Sequence, residues 1–168
     1  MKTWWLVLLA TGVAVAEQTT LNRWFPSGIV DLVLVVVVFT ALVSGRVTGL
    51  WAGTLAGLMQ DAMSGGVIGM AGLSKTVVGF FAGVISTQFI VAQAPARFVV
   101  FLLATLVDAV LFMGLYELLG FRQFSSPLTT IAGRGVANAA VGVLAFKLME
   151  SLPGAVERHR ASRAGLRR

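Results

Sequence analysis

Residues 45–87 read GRVTGLWAGTLAGLMQDAMSGGVIGMAGLSKTVVGFFAGVIST, and the spacing of their glycines decides the fold. Gly45, Gly49, Gly53 and Gly57 recur every fourth residue, and Asp61 is next in the series. After a glycine-rich break (Gly65, Gly66, Gly69, Gly72), the same step returns as Lys75, Gly79, Gly83 and Thr87. A four-residue step keeps side chains on one face of an α-helix. The stretch therefore predicts two helices, each with a stripe almost bare of side chains and each ending in a charge beside the connecting turn. Bare stripes let helix backbones approach closely in lipid. The expected unit is a tightly packed hairpin with Asp61 and Lys75 as its polar cap.

Composition places that hairpin in a bilayer. Of the 168 residues, 57% are hydrophobic and 12% charged, with a mean hydropathy of +0.89. A soluble domain carries about 25% charge, and a chain this size cannot hide so much apolar surface in one core. The fold class is an all-α integral membrane protein. The absence of cysteine excludes disulfides, thiol catalysis and Cys-ligated metals. No Walker loop, HExxH or nucleophile elbow is present. The sole histidine, His159, lies in a basic tail, so no His-based triad forms inside the bilayer. The expectation is no enzyme, no cofactor and no metal. Asp61 and Lys75 as an acid–base pair is a weaker reading than a clamp on the turn.

Taken in order, residues 1–16 are either a signal peptide ending Ala14-Val15-Ala16 or a short first membrane helix. Residues 29–43 form a second helix; their valine run would suggest a strand in a soluble protein, but its length and surroundings favour a lipid-facing helix. Helix three is expected over 47–60, short for the ~20 residues a span needs, with an apolar loop over 61–72. Helix four follows over 73–91, helix five over 98–119 and helix six over 128–152. With the first segment retained, this gives a six-helix transmembrane domain over 1–153 and a basic tail over 154–168.

Positive charge sets the orientation. With the N-terminus in the cytoplasm, that side holds Lys2, Arg46, Arg97 and the tail residues Arg158, Arg160, Arg163, Arg167 and Arg168, against Arg23, Lys75 and Arg122 opposite. Both termini are thus expected in the cytoplasm. The tail is an orientation signal drawn to anionic lipid rather than a nucleic-acid site, since no aromatics interleave it.

Charge within the membrane is costly and seeks a partner. Helices five and six run antiparallel, which brings Asp108 level with Asn138 and Glu117 near Arg134. Those two pairs are the expected interhelical contacts, while Lys147 and Glu150 snorkel at the cytoplasmic end. A proton or ion path through Asp108 is the functional alternative.

The segment Gly57-Leu58-Met59-Gln60-Asp61-Ala62-Met63-Ser64-Gly65-Gly66, then Ile68-Gly69-Met70, then Leu73-Ser74-Lys75-Thr76-Val77-Val78-Gly79-Phe80, resembles the signature of the bacterial rod shape-determining protein MreD family. The likeness covers roughly residues 45–90; helices five and six match in hydropathy alone. It implies a non-enzymatic inner-membrane component of the cell-elongation machinery. Its implied direct partner is MreC, within a complex of MreB, RodA and a class B penicillin-binding protein. It also implies a fold similar to the S components of energy-coupling-factor transporters, which are six-helix membrane proteins.

Two functions follow from the resemblance. In the first, a bare stripe receives the MreC helix: Gly45, Gly49, Gly53, Gly57, Gly79 and Gly83 on the hairpin, or Gly135, Ala139 and Gly142 on helix six. A stripe left free could also pair two copies of the chain. In the second, an S-component-like protein binds a small molecule or lipid under helix three, in a pocket lined by Asp61, Lys75 and Trp51.

Overall fold

The computed structural model describes residues 30–65, 67–88, 93–120 and 128–151, together with Thr11, Gly12 and Ala16. Five helices make up the described bundle: α1 (Leu32–Ser44), α2 (Arg46–Ser64), α3 (Met70–Gln88), α4 (Ala94–Leu118) and α5 (Leu128–Ser151). The expected first helix, most of the loop before α5 and the basic tail lie outside the described residues. Three stretches are long and apolar enough to cross a membrane: Met70–Gln88, Ala94–Leu118 and Ile131–Glu150. The structure thus supports a helical membrane protein, but neither six spans nor a six-helix bundle of the S-component kind.

α1 departs most from expectation. Asp31 caps it, its carboxylate accepting from the Leu34 amide at 2.8 Å, and Gly45 ends it with φ +87°. At 13 residues it rises only about 20 Å. Val33, Leu34, Val35, Val37, Val38, Thr40 and Ala41 are all buried, so this helix is the centre of the bundle and does not face lipid. A helix that is apolar on every side is a buried helix, and α2, α3, α4 and α5 all pack against it.

α2 is longer than the sequence suggests and α3 starts earlier, because the break between them is shorter. α2 continues through Asp61 to Ser64 and stops at Gly65 in the left-handed region, φ +67°, where glycine carries no Cβ penalty. α3 begins at Met70. Asp61 is therefore a helical residue and not a member of the loop, and Lys75 is helical as expected but about one turn further into its helix.

The hairpin closes along the two glycine stripes. A Cβ on Gly53 would lie 2.5 Å from the carbonyl carbon of Lys75, and one on Gly57 would lie 2.6 Å from the Ala71 oxygen. A Cβ on Gly49 would overlap the Gly79 carbonyl, and one on Gly83 the backbone of Arg46. Thr54 and Thr76 join hydroxyls across the same seam at 2.8 Å. The remaining core lies between α1, α3, α4 and α5, where Leu34, Val38, Ala41, Val78, Ala82, Phe101, Ala139 and Phe146 form one cluster.

Candidate functional site: a buried ion cluster

Lys75 lies in the second turn of α3 and is 2% exposed. An ammonium taken out of water needs counter-charge, and two helices supply it. Asp31 Oδ2 of α1 is 2.8 Å from Lys75 Nζ, and Asp108 Oδ2 of α4 is 3.5 Å away. Ser74, next to Lys75, places its Oγ 2.8 Å from Asp108 Oδ1 and 3.2 Å from the Ala71 carbonyl oxygen.

α5 completes the cluster with Asn138, which is almost fully buried. Its Oδ1 accepts from the Asp31 amide at 2.8 Å, and its Nδ2 donates to Thr105 Oγ1 at 3.2 Å. One polar group thus ties α1, α3, α4 and α5 together. Asp31 keeps a quarter of its side chain exposed, so the cluster reaches the surface at the end of the bundle that carries loop 65–69.

The polar cap is built differently from the expected clamp. Asp61 does not pair with Lys75; it caps α3 across the loop. Its carboxylate accepts from the amides of Gly69 at 2.9 Å, Ala71 at 3.1 Å and Gly72 at 3.1 Å. The first turn of a helix leaves its N–H groups without intrahelical partners, and negative charge is favoured there. Because α3 starts at Met70, Lys75 lies more than a turn deeper and faces the core.

Two other expected contacts are replaced. Asp108 and Asn138 do lie in one cluster, but Asp108 engages Ser74 and Lys75 while Asn138 engages Asp31 and Thr105. Glu117 and Arg134 are both exposed, and no ion pair joins them among the described residues. The step from Asp108 to Glu117 turns α4 through about 180°, so Glu117 points away from the bundle when Asp108 points in. Glu150 does not simply snorkel: its Oε1 is 2.6 Å from Arg97 Nη2, and the Arg97 guanidinium stacks over Phe146 at 4.3 Å. That fastening lies at the end of the bundle opposite Asp31.

The stripe residues meet one another and not a vacancy. Gly49, Gly53, Gly57, Gly79 and Gly83 are all used within the hairpin, and Gly45 forms the turn before α2. On α5, a Cβ at Gly135 would meet Leu102 at 2.8 Å and one at Gly142 would meet the Phe101 ring at 2.6 Å. Nor do Asp61, Lys75 and Trp51 line one pocket, since Trp51 is about half exposed on the outer side of α2 while the other two are buried. An apolar groove of about 70 Å³ runs instead between α3 and α4, past Val78, Ala82, Val100 and Leu103.

Asp31, Ser74 and Thr105 are the residues of the cluster that the sequence reading misses. Asp31 carries one usable signal, a carboxylate placed directly before an apolar run that a buried lysine must find a counter-ion to join. Ser74 carries none beyond its place beside Lys75.

No curated protein and no solved structure matches the chain. The family model described as rod shape-determining protein MreD matches residues 2–151. That match takes in the hairpin, both aspartates paired with Lys75 and both helices for which the sequence offered only hydropathy, so the chain belongs to the MreD family of rod shape-determining membrane proteins.

Proposed function

We propose that this chain is a non-catalytic inner-membrane component of the cell-elongation complex that binds MreC directly and helps organise peptidoglycan synthesis with MreB, RodA and a class B penicillin-binding protein. Family membership carries the reading. In it, residues 1–16 add a further helix, and the end of the bundle holding Arg46 and Arg97 faces the cytoplasm, as do both termini.

Both glycine stripes are filled from within, which supports a docking face for the MreC helix elsewhere, on the outer ridge of α2. Val47, Trp51, Leu55 and Leu58 stand exposed along it, at the three- and four-residue steps that a facing helix reads. Tryptophan is a common anchor at such contacts.

A photo-crosslinking side chain at Trp51, Leu55 or Leu58, in cells making the native complex, is expected to capture MreC. The same probe at Val110 or Leu144, exposed on α4 and α5, is expected to capture lipid alone. Capture of MreC from α4 or α5 and not from α2 overturns the assigned face. A gentle-detergent pull-down that returns neither MreC nor the wall synthases overturns the function. Because the chain has no cysteine, single cysteines report orientation cleanly: Ile68 is expected to label from the periplasm and Gln93 from the cytoplasm.

A further inference from the structure

We propose that the Asp31–Lys75–Asp108 cluster is a proton-binding site, in which one exchangeable proton sits on Asp108 and equilibrates with the face of the membrane to which Asp31 opens. This inference goes beyond the partner reading and does not rest on it.

The first argument is charge. Two carboxylates face one ammonium, at 2.8 and 3.5 Å, which leaves one negative charge in excess. Among the described residues no other charged group is paired with it: α5 contributes the neutral Asn138, and Asp61 of α2 is held by the amides of α3. A net charge buried among helices in lipid is costly, and one bound proton removes it. The unequal distances assign the proton. Lys75 sits close to Asp31, leaving Asp108 the weaker claim on the ammonium.

The second argument counts hydrogens. The Ser74 hydroxyl has a single hydrogen, yet two acceptors lie within reach, the Ala71 carbonyl at 3.2 Å and Asp108 Oδ1 at 2.8 Å. With Asp108 ionised, one of those contacts has no hydrogen. With a proton on Oδ1, Asp108 donates to Ser74 Oγ and Ser74 donates to Ala71, so both contacts are made. Binding forms one O–H bond on Asp108 and breaks one in the hydronium ion that delivers the proton, which leaves as water; Ser74 keeps its own hydrogen.

Among the described residues the site has one mouth. Asp31 is partly exposed at the loop 65–69 end. Toward the Arg97 end the interior is mostly apolar, with Val38, Ala41, Ala82, Phe101 and Ala104, and the Thr40 hydroxyl buried there has no hydrogen-bond partner among the described residues. No hydrogen-bonded chain among them leads onward, so the arrangement binds a proton from one side.

Infrared spectroscopy of the full chain in lipid vesicles, with isotopically labelled aspartate, tests this directly. The wild type is expected to show the carbonyl band of a protonated aspartic acid that disappears as the pH is raised. Asp108→Asn is expected to abolish the band. Asp31→Asn is expected to abolish it too, because Lys75 and Asp108 then balance without a proton. Should Asp108→Asn fail to fold, Ser74→Ala serves: it removes the group bonded to the proton and is expected to shift the band without deleting it. No aspartic-acid band at any pH at which the protein stays folded overturns the proposal. So does a band that survives Asp108→Asn, persists unchanged in Asp31→Asn, or keeps its frequency in Ser74→Ala. A band that answers equally to a pH step on either side of the vesicle overturns the single mouth.

Discussion

The α2–α3 hairpin and the α4–α5 pair both place glycines against a neighbouring helix, yet they are joined in different ways. In the hairpin the glycines meet backbone: carbonyls of Lys75, Ala71 and Gly79 fill the space that a Cβ would need. In the α4–α5 pair they meet side chains, Leu102 and the Phe101 ring. A backbone cannot turn aside without dragging its helix, whereas a side chain has other rotamers. The same residue type is thus a rigid requirement on one seam and a matter of fit on the other.

The largest effect separates the two seams. Gly53→Leu forces a side chain into the α3 backbone and is expected to destroy the folded protein, exceeding the roughly 1–3 kcal/mol of ordinary overpacking. Gly142→Ala is expected to stay within that range. Thermal unfolding of both in one detergent checks this, and equal losses would erase the distinction between the seams. A Gly53 variant cannot serve as a clean probe of partner docking, since the hairpin itself depends on that position.

Next in size is the charge that joins the seams. Lys75→Met leaves Asp31 and Asp108 facing each other without a cation, and breaking a buried pair in this way costs about 3–5 kcal/mol. Adding Asp31→Asn and Asp108→Asn to the same chain is expected to recover most of that loss in a denaturant titration. Recovery by the triple variant would show that the cost lay in uncompensated charge and not in lost lysine packing.

The Asp61 cap comes third. Asp61→Ala strips acceptors from three amides, and unsatisfied buried groups cost about 1–3 kcal/mol each before the loop relaxes. Faster hydrogen exchange is expected at Gly69, Ala71 and Gly72, with the α4–α5 amides unchanged. The smallest effect is at the opposite end. Glu150→Gln breaks the contact with Arg97, but Glu150 is half exposed, so solvent screening holds the loss to under about 1 kcal/mol.

The hairpin was legible because its signal is a period, and a four-residue step of glycines has one geometric meaning on a helix. The central role of α1 was not, because an apolar run reads the same whether lipid or protein surrounds it. Within the site, the need for partners at Lys75 and Asp108 followed from the cost of buried charge, while the identity of the partners did not. Asp61 lies near Lys75 in sequence, yet it turns to the amides of α3. Asp31, far away in the chain, is brought to the ammonium only by the antiparallel return of α1 on α2. The Glu117–Arg134 expectation failed on angle: counting residues from the loop gives depth along a helix but not which face a residue occupies.

The Asp61 cap also bears on how the chain enters the bilayer. Among the described stretches, α3 qualifies as a span by length and apolarity, and α2 does not. Yet the leading amides of α3 take their acceptors from the last turn of α2, and backbone groups left bare in hydrocarbon cost several kcal/mol each. Each helix thus lacks what the other brings: α2 the greasiness to partition, α3 a cover for its first turn. During synthesis α2 is made first and is the less apolar of the two, so entry of α2 and α3 into lipid as a pair would meet both needs at once.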